Sequence, residues 1–238
     1  MQAYLAILRY DVGQLARSWI ARLWFPLLIA PALFLVVVAG TENERASETM
    51  AIYISAVLLP ISALAIAVLT SSAVSAELNV IADGILSRSV TRSEYLWAKI
   101  TARLGFALGV YLLVMLPFSY LIIRYAAPDT SIAGVVVGIL VVGVLLMFLG
   151  SLGIALSTIL SNTLLAVLTV LLAVIASGVV LQFLGLHWMS ATAVINELPR
   201  TFRGETPPWD LVRVVIVFVA LTATALMASL WVFRHRDL

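Results

Sequence analysis

The chain has 238 residues, 63% of them apolar and 11% charged, with a net charge of +2 at pH 7. Soluble domains carry roughly 45–50% apolar and about 25% charged residues, so a mean hydropathy of +1.13 excludes a water-soluble globular domain and leaves a membrane protein. The absence of cysteine excludes disulfides, thiolate metal sites and cysteine nucleophiles. The small positive excess forms no basic stripe of the kind that binds nucleic acid.

Residues 1–18 carry Arg9, Asp11 and Arg17 where a signal peptide would have a basic start, an apolar core and a small-residue cleavage site. Leu8, Val12, Leu15 and Trp19 recur at helical spacing, with Arg9 and Arg17 elsewhere around the turn. This predicts a helix over residues 1–19, either lying in the membrane interface or extending the first span into the cytoplasm.

A helix that crosses a bilayer needs about 20 mostly apolar residues. Runs near residues 20–39, 51–75, 100–123, 132–158, 163–185 and 211–233 predict six spans and one transmembrane domain over residues 1–238, hence an all-α membrane protein. Pro26, Pro31, Pro60 and Pro117 fall within spans, where neighbouring helices can satisfy the freed carbonyls, and mark kinks rather than ends. Gly105 with Gly109, and Gly134 with Gly138, form GxxxG pairs that allow close helix approach, within one chain or between two. Ser161 and Asn162 leave room only for a tight antiparallel hairpin between the fourth and fifth spans. Residues 186–210 form a long external loop with Trp188 and Trp209 as headgroup-level anchors and a short re-entrant or interfacial helix from Trp188 to Asn196.

Nine of the 14 Lys and Arg residues fall on one side of this arrangement, in the N-terminal segment, the loop after the second span and the tail; the other five, Arg45, Arg124, Arg200, Arg203 and Arg213, fall opposite. Positive residues concentrate inside, which predicts a multi-pass protein of the cytoplasmic (inner) membrane with both termini cytoplasmic.

Catalytic chemistry finds little support. Ser151 of "GSLG" lies in a span and His187 in the outer loop, a poor nucleophile and base pair. His235 lies on the opposite side from His187, so the two histidines cannot share a metal. A P-loop needs G-x-x-x-x-G-K-[S/T], and the sole lysine, Lys99, follows "RSEYLWA". The reading is a non-catalytic chain without a cofactor of its own. Ion-coupled carriers keep ionisable groups within their spans, whereas here Lys99 and Arg103 come at the cytoplasmic start of the third span, placed to snorkel. The polar span residues Ser55, Ser62, Thr70, Thr169, Ser177 and Gln182 are the candidates to line a translocation path, although most Ser and Thr in such helices bond their own backbone.

Between the second and third spans, "ELNVIADGIL" places Leu78, Ile81, Ala82 and Ile85 on one helical face and Glu77, Asn79 and Asp83 elsewhere. Such a face must lie against the membrane or fit a groove in a partner. Thr91-Arg92-Ser93-Glu94 matches a capping box that starts the third helix at about Arg92. Run to Ile123, that helix would extend about 48 Å against a hydrocarbon core of roughly 30 Å, so about two turns project, with Tyr95 and Trp97 at the interface.

"ADGILSRSVTRSEYLWAKITAR", residues 82–103, resembles the loop of permeases of the ABC-2 type transporters, where a short helix precedes a pattern like L-L-S-x-P-V-[ST]-R and, about six residues later, a Lys. Leu86, Ser87, Val90, Thr91, Arg92 and Lys99 fit it, and Ser89 stands where that family often has Pro. The layout of an N-terminal interfacial helix, six spans, a short fourth-to-fifth connection and a long last external loop is also similar. The resemblance implies a type V exporter-like permease fold, a homodimer or a pairing with a second permease, and two ABC ATP-binding subunits that bind ATP and magnesium. It implies coupling to the ATPase through residues 77–92, with Glu77, Leu78, Ile81, Ala82, Asp83, Ile85, Arg88 and Arg92 as contact residues and spans two and five taking up the motion. Exported lipids, glycans, drugs or peptides are the substrates that such a resemblance implies. A non-transporting membrane scaffold and an ion-coupled secondary carrier are the alternative readings.

Overall fold

A computed structural model describes residues 2–75, 91–160, 162–183 and 190–235. Among them are helices α1 (Gln2–Arg17), α2 (Trp19–Glu42), α3 (Ala46–Tyr53), α4 (Leu59–Ser75), α5 (Arg92–Tyr125), α6 (Ile132–Ile159), α7 (Thr163–Phe183), α8 (Ala191–Asn196), α9 (Leu198–Arg203) and α10 (Pro208–His235), with a π-helical turn over Ile54–Leu58 joining α3 to α4. The only extended pairing among the described residues is a single bridge between Arg45 and Ala127.

Five stretches are long and apolar enough to cross a membrane: Trp19–Glu42, Ala46–Ser72, Ser93–Tyr125, Ile132–Ile159 and Pro208–Phe233. The sixth expected span corresponds to α7, 21 residues long, within which Thr163–Ala173 is a shorter apolar stretch. The bundle has two ends. At the base, α1 meets the start of α5, and Tyr95 of α5 stacks on Phe233 of α10 with ring centroids 6.2 Å apart. The top holds the turns after α2 and α5 together with α8 and α9.

Local sequence explains several joints. Pro60 has no N–H to give, and in a regular helix its ring would clash with the carbonyl of Ala56. The π-turn one residue earlier, in which Leu59 N–H reaches Ile54 O, widens the helix at that point. The remaining span prolines, Pro26, Pro31 and Pro117, sit inside unbroken helices. Between α6 and α7, Asn162 Oδ1 accepts from Leu164 N at 2.9 Å and so starts the returning helix.

Lipid tails are as apolar as leucine, so helices in a bilayer associate through close packing and hydrogen bonds. α6 is the central helix and carries small residues where neighbours cross. A Cβ on Gly153 would overlap the Thr70 side chain of α4, and one on Gly150 would overlap Leu104 of α5. The two GxxxG pairs behave differently. Gly134 and Gly138 seat α9: a Cβ on Gly134 would strike the carbonyl oxygens of Thr201 and Phe202, and one on Gly138 the fully buried Phe202 ring. A Cβ on Gly105 or Gly109 would meet no atom of the described residues within 4 Å.

Buried aromatic side chains supply polar links between spans. Tyr53 Oη donates to Leu28 O at 3.1 Å, Tyr111 Oη to Ile139 O at 2.8 Å, and Trp24 Nε1 to Ser62 Oγ at 3.3 Å. Each such bond contributes about 0.6–2 kcal/mol in a membrane interior. At the top, α3 starts at Arg45 without a side-chain cap of its own. Asp129, 82 residues away, accepts from Ser47 N at 2.8 Å and from Ser47 Oγ, and Arg203 Nη1 reaches the same hydroxyl at 3.3 Å. A carboxylate there also meets the positive end of the α3 dipole. Ser131 N–H donates to Phe202 O at 2.9 Å. The residue after α9, Gly204, takes a φ of +79°, a left-handed turn that favours glycine.

Candidate coupling site at the base of the bundle

α4 ends at Ser75 and α5 begins at Arg92, so these two helices hold the ends of the segment between them. The α5 end is built as the sequence predicts. Thr91 Oγ1 accepts from Glu94 N at 3.2 Å, and Thr91 N donates to Glu94 Oε2 at 3.3 Å, which completes the capping box.

The next two turns correct an expectation. Lys99 and Arg103 do not snorkel toward headgroups: their side chains are 2% and 7% exposed and meet Asp11 of α1, itself 1% exposed. Lys99 Nζ donates to Asp11 Oδ1 at 2.8 Å, and Arg103 Nε lies 3.4 Å from Asp11 Oδ2. The sequence places both cations in one stretch of α5, but their counter-charge sits 88 residues from Lys99, on a helix whose docking onto α5 only the fold reveals. Ionisable groups are therefore buried among the helices after all. Tyr95 shifts in the same way, from an interface position to 1% exposure against Phe233, while Trp97 stays 43% exposed.

Among the described residues the cluster brings one carboxylate and two cations together, and backbone and hydroxyl oxygens join them. Arg103 Nη1 donates to the Leu69 carbonyl and, at 2.8 Å, to Ser72 Oγ, both on α4. Lys99 Nζ also sits 5.7 Å from the centre of the Tyr95 ring, within cation–π reach. Removing one member of a buried ion pair leaves an uncompensated charge and costs about 3–5 kcal/mol. The base is thus a three-helix clamp in which α1 holds α5 through Asp11 and α5 holds α4 through Arg103. Tyr4 Oη adds a bond to Thr101 Oγ1 at 2.9 Å near the start of α1.

The side-chain pattern of α1 explains the docking. Leu8 and Val12 are half-buried and Leu15 is buried, whereas Trp19, which shares their helical spacing, begins α2 and is 70% exposed. Asp11 falls between Leu8 and Leu15 on the same face. An acidic residue on the apolar face of an amphipathic helix, in a chain with two cations one helical turn apart elsewhere, is the signal that the sequence held and that reasoning by loop charge overlooked.

Of the expected coupling residues, Glu77, Leu78, Ile81, Ala82, Asp83, Ile85 and Arg88 lie outside the described residues, and Arg92 is the first residue of α5. Of the candidate path residues, Ser55, Ser62, Thr70 and Thr169 have described side chains. Ser62 and Thr70 are fully buried, the first accepting from Trp24 and the second donating to Ile66 O at 2.7 Å. Ser55 and Thr169 are exposed on the outside of the bundle and donate to Ile52 O and Leu165 O. The side chains of Ser177 and Gln182 lie outside the described residues. Ser151, weighed above as a nucleophile, is buried and donates to Phe148 O at 2.7 Å.

Helices of this length and apolarity, with polar clusters at both ends of the bundle, define an all-α, multi-pass membrane protein. No protein-family model matches the chain, and no curated protein matches it.

Proposed function

We propose that the chain is the membrane-spanning permease subunit of an ATP-driven ABC exporter of the ABC-2 type, non-catalytic by itself and coupled to a separate ATP-binding subunit through residues 77–92. The observation that supports this reading is the clamp of Asp11, Lys99 and Arg103, which ties α1, α5 and α4 together near the end of α4 and the start of α5. A segment that converts a partner's motion into helix motion needs both of its ends fixed to the helices it moves. The amphipathic pattern of Leu78, Ile81, Ala82 and Ile85 supplies the face for such a partner. In this reading the base is cytoplasmic, the top faces outward, and ATP and magnesium are bound by the partner.

An ion-coupled carrier is the second reading, because Asp11 is a buried carboxylate of the kind such carriers use. Both of its carboxylate oxygens already lie against cations of the chain itself, Lys99 and Arg103. The permease reading is therefore preferred.

Co-purification tests the proposal. The full chain, tagged and extracted in mild detergent, is expected to retain a P-loop ATPase subunit, and Ile81→Asp with Ile85→Asp to lose it. An equal yield of that ATPase with the double variant would remove this face as the docking element.

A further inference from the structure

A cavity of about 500 Å³ lies at the top of the bundle, between the α8–α9 corner and the first turns of α10, with α6 behind it. Its volume is in the range of about 300–1,000 Å³ occupied by small-molecule sites. The polar lining holds two acid–base sets beside the uncharged Asn196, Thr201 and Thr206. Glu197 and Arg200 come from the α8–α9 corner, where they pair at 3.3 Å, and Asp210 and Arg213 come from α10. The apolar lining includes Val141 of α6 and Leu211 and Val214 of α10.

These two kinds of lining differ in depth. Trp209, 72% exposed at the start of α10, marks the headgroup level. Val214 is about 7 Å farther along the helix, and Val141 about 13 Å along α6 from its first residue, at about 1.5 Å per residue. The cavity thus begins among charges at the interface and descends onto apolar side chains at hydrocarbon depth. A lone anion there would meet Glu197 and Asp210, and a lone cation would meet the two arginines. An occupant with both charges and an apolar tail matches the charged and the apolar parts of the lining.

We propose that this cavity binds a zwitterionic, amine-bearing phospholipid of the phosphatidylethanolamine class. The phosphate faces Arg200 and Arg213, the ammonium group faces Glu197 and Asp210, and the first acyl methylenes lie along Val141, Leu211 and Val214. Arg guanidinium groups suit phosphate oxygens because they offer paired donors in a plane.

Calorimetric titration of the purified full chain in a neutral maltoside detergent tests the site, using dihexanoylphosphatidylethanolamine and, in a second arm, dihexanoylphosphatidylglycerol. No ATPase is present, so the outcome is independent of the transport reading. The expected result is saturable binding of the zwitterionic lipid and binding of the anionic one weaker by about tenfold or more. Val214→Trp, which fills the cavity, is expected to abolish binding, and Arg213→Gln to weaken it by about tenfold. Thermal unfolding of each variant reports folding, and Arg213→Gln decides the matter if the tryptophan variant does not fold. Equal affinity for both lipids, or wild-type affinity in a folded Arg213→Gln variant, would overturn the proposal.

Discussion

Asp11 of α1 and Lys99 of α5 meet at 2.8 Å with both side chains almost wholly out of solvent, and Arg103 stands on the other carboxylate oxygen. Burial makes this pair sensitive to the loss of one member and tolerant of the loss of all. Asp11→Ala is expected to destabilise the protein by about 3–5 kcal/mol, because both buried cations then lose the carboxylate they share. Asp11→Leu combined with Lys99→Met and Arg103→Met is expected to recover most of that loss. Thermal unfolding in detergent, read by tryptophan fluorescence, checks both. A triple variant less stable than Asp11→Ala would mean that the ion pairs themselves, rather than their mutual compensation, hold the clamp.

This clamp also marks where sequence reading reached its limit. The spans, the capping box at Thr91 and the helix within the last loop follow from local pattern: apolar runs of the right length, a Thr with Glu three residues on, and a polar break bounded by tryptophans. The structure retains five of the six spans as stretches long and apolar enough to cross, with α7 in the place of the sixth. It retains the α5 start and, as α8, part of the loop helix, whereas α9 has no counterpart in the expected pattern. Long-range pairing has no such pattern. Lys99 and Arg103 look like interface cations until α1 is laid on α5, and Ser47 shows no sign of needing Asp129 until α3 is seen to lack its own cap. The GxxxG spacing identified close approach without its partner, which is the short helix α9 for Gly134 and no atom of the described residues for Gly105.

The contrast between glycines gives a second prediction. At Gly153 a methyl group would be driven into Thr70 on the facing helix, and overpacking of this kind costs about 1–3 kcal/mol. At Gly105 no atom of the described residues lies in the way. Gly153→Ala should therefore lower stability by about that amount, whereas Gly105→Ala should raise it by about 0.5–1 kcal/mol through the higher helix propensity of alanine. Unfolding midpoints of the two variants, measured side by side, distinguish packing from propensity.

The top of the bundle gives a third. Asp129 caps α3 from another loop and also holds Ser47 Oγ, which Arg203 contacts as well. Loss of a helix cap costs about 0.5–2 kcal/mol, so Asp129→Ala should lie in that range. Asp129→Asn, which keeps an acceptor oxygen for Ser47 N, should lose less. Hydrogen exchange at the first turn of α3 should quicken in the alanine variant while the base of the bundle keeps its protection.

In the function proposed above, this chain passes the motion of an ATPase into the membrane. Reconstitution of the chain with an ABC ATP-binding subunit in liposomes, followed by measurement of ATP hydrolysis, tests this. The account predicts that hydrolysis depends on the permease and falls by about tenfold or more when Ile81 and Ile85 are replaced by Asp, equivalent to about 1.4 kcal/mol or more in barrier height. Hydrolysis at the same rate with the wild-type chain, with the variant and with no permease at all would contradict it.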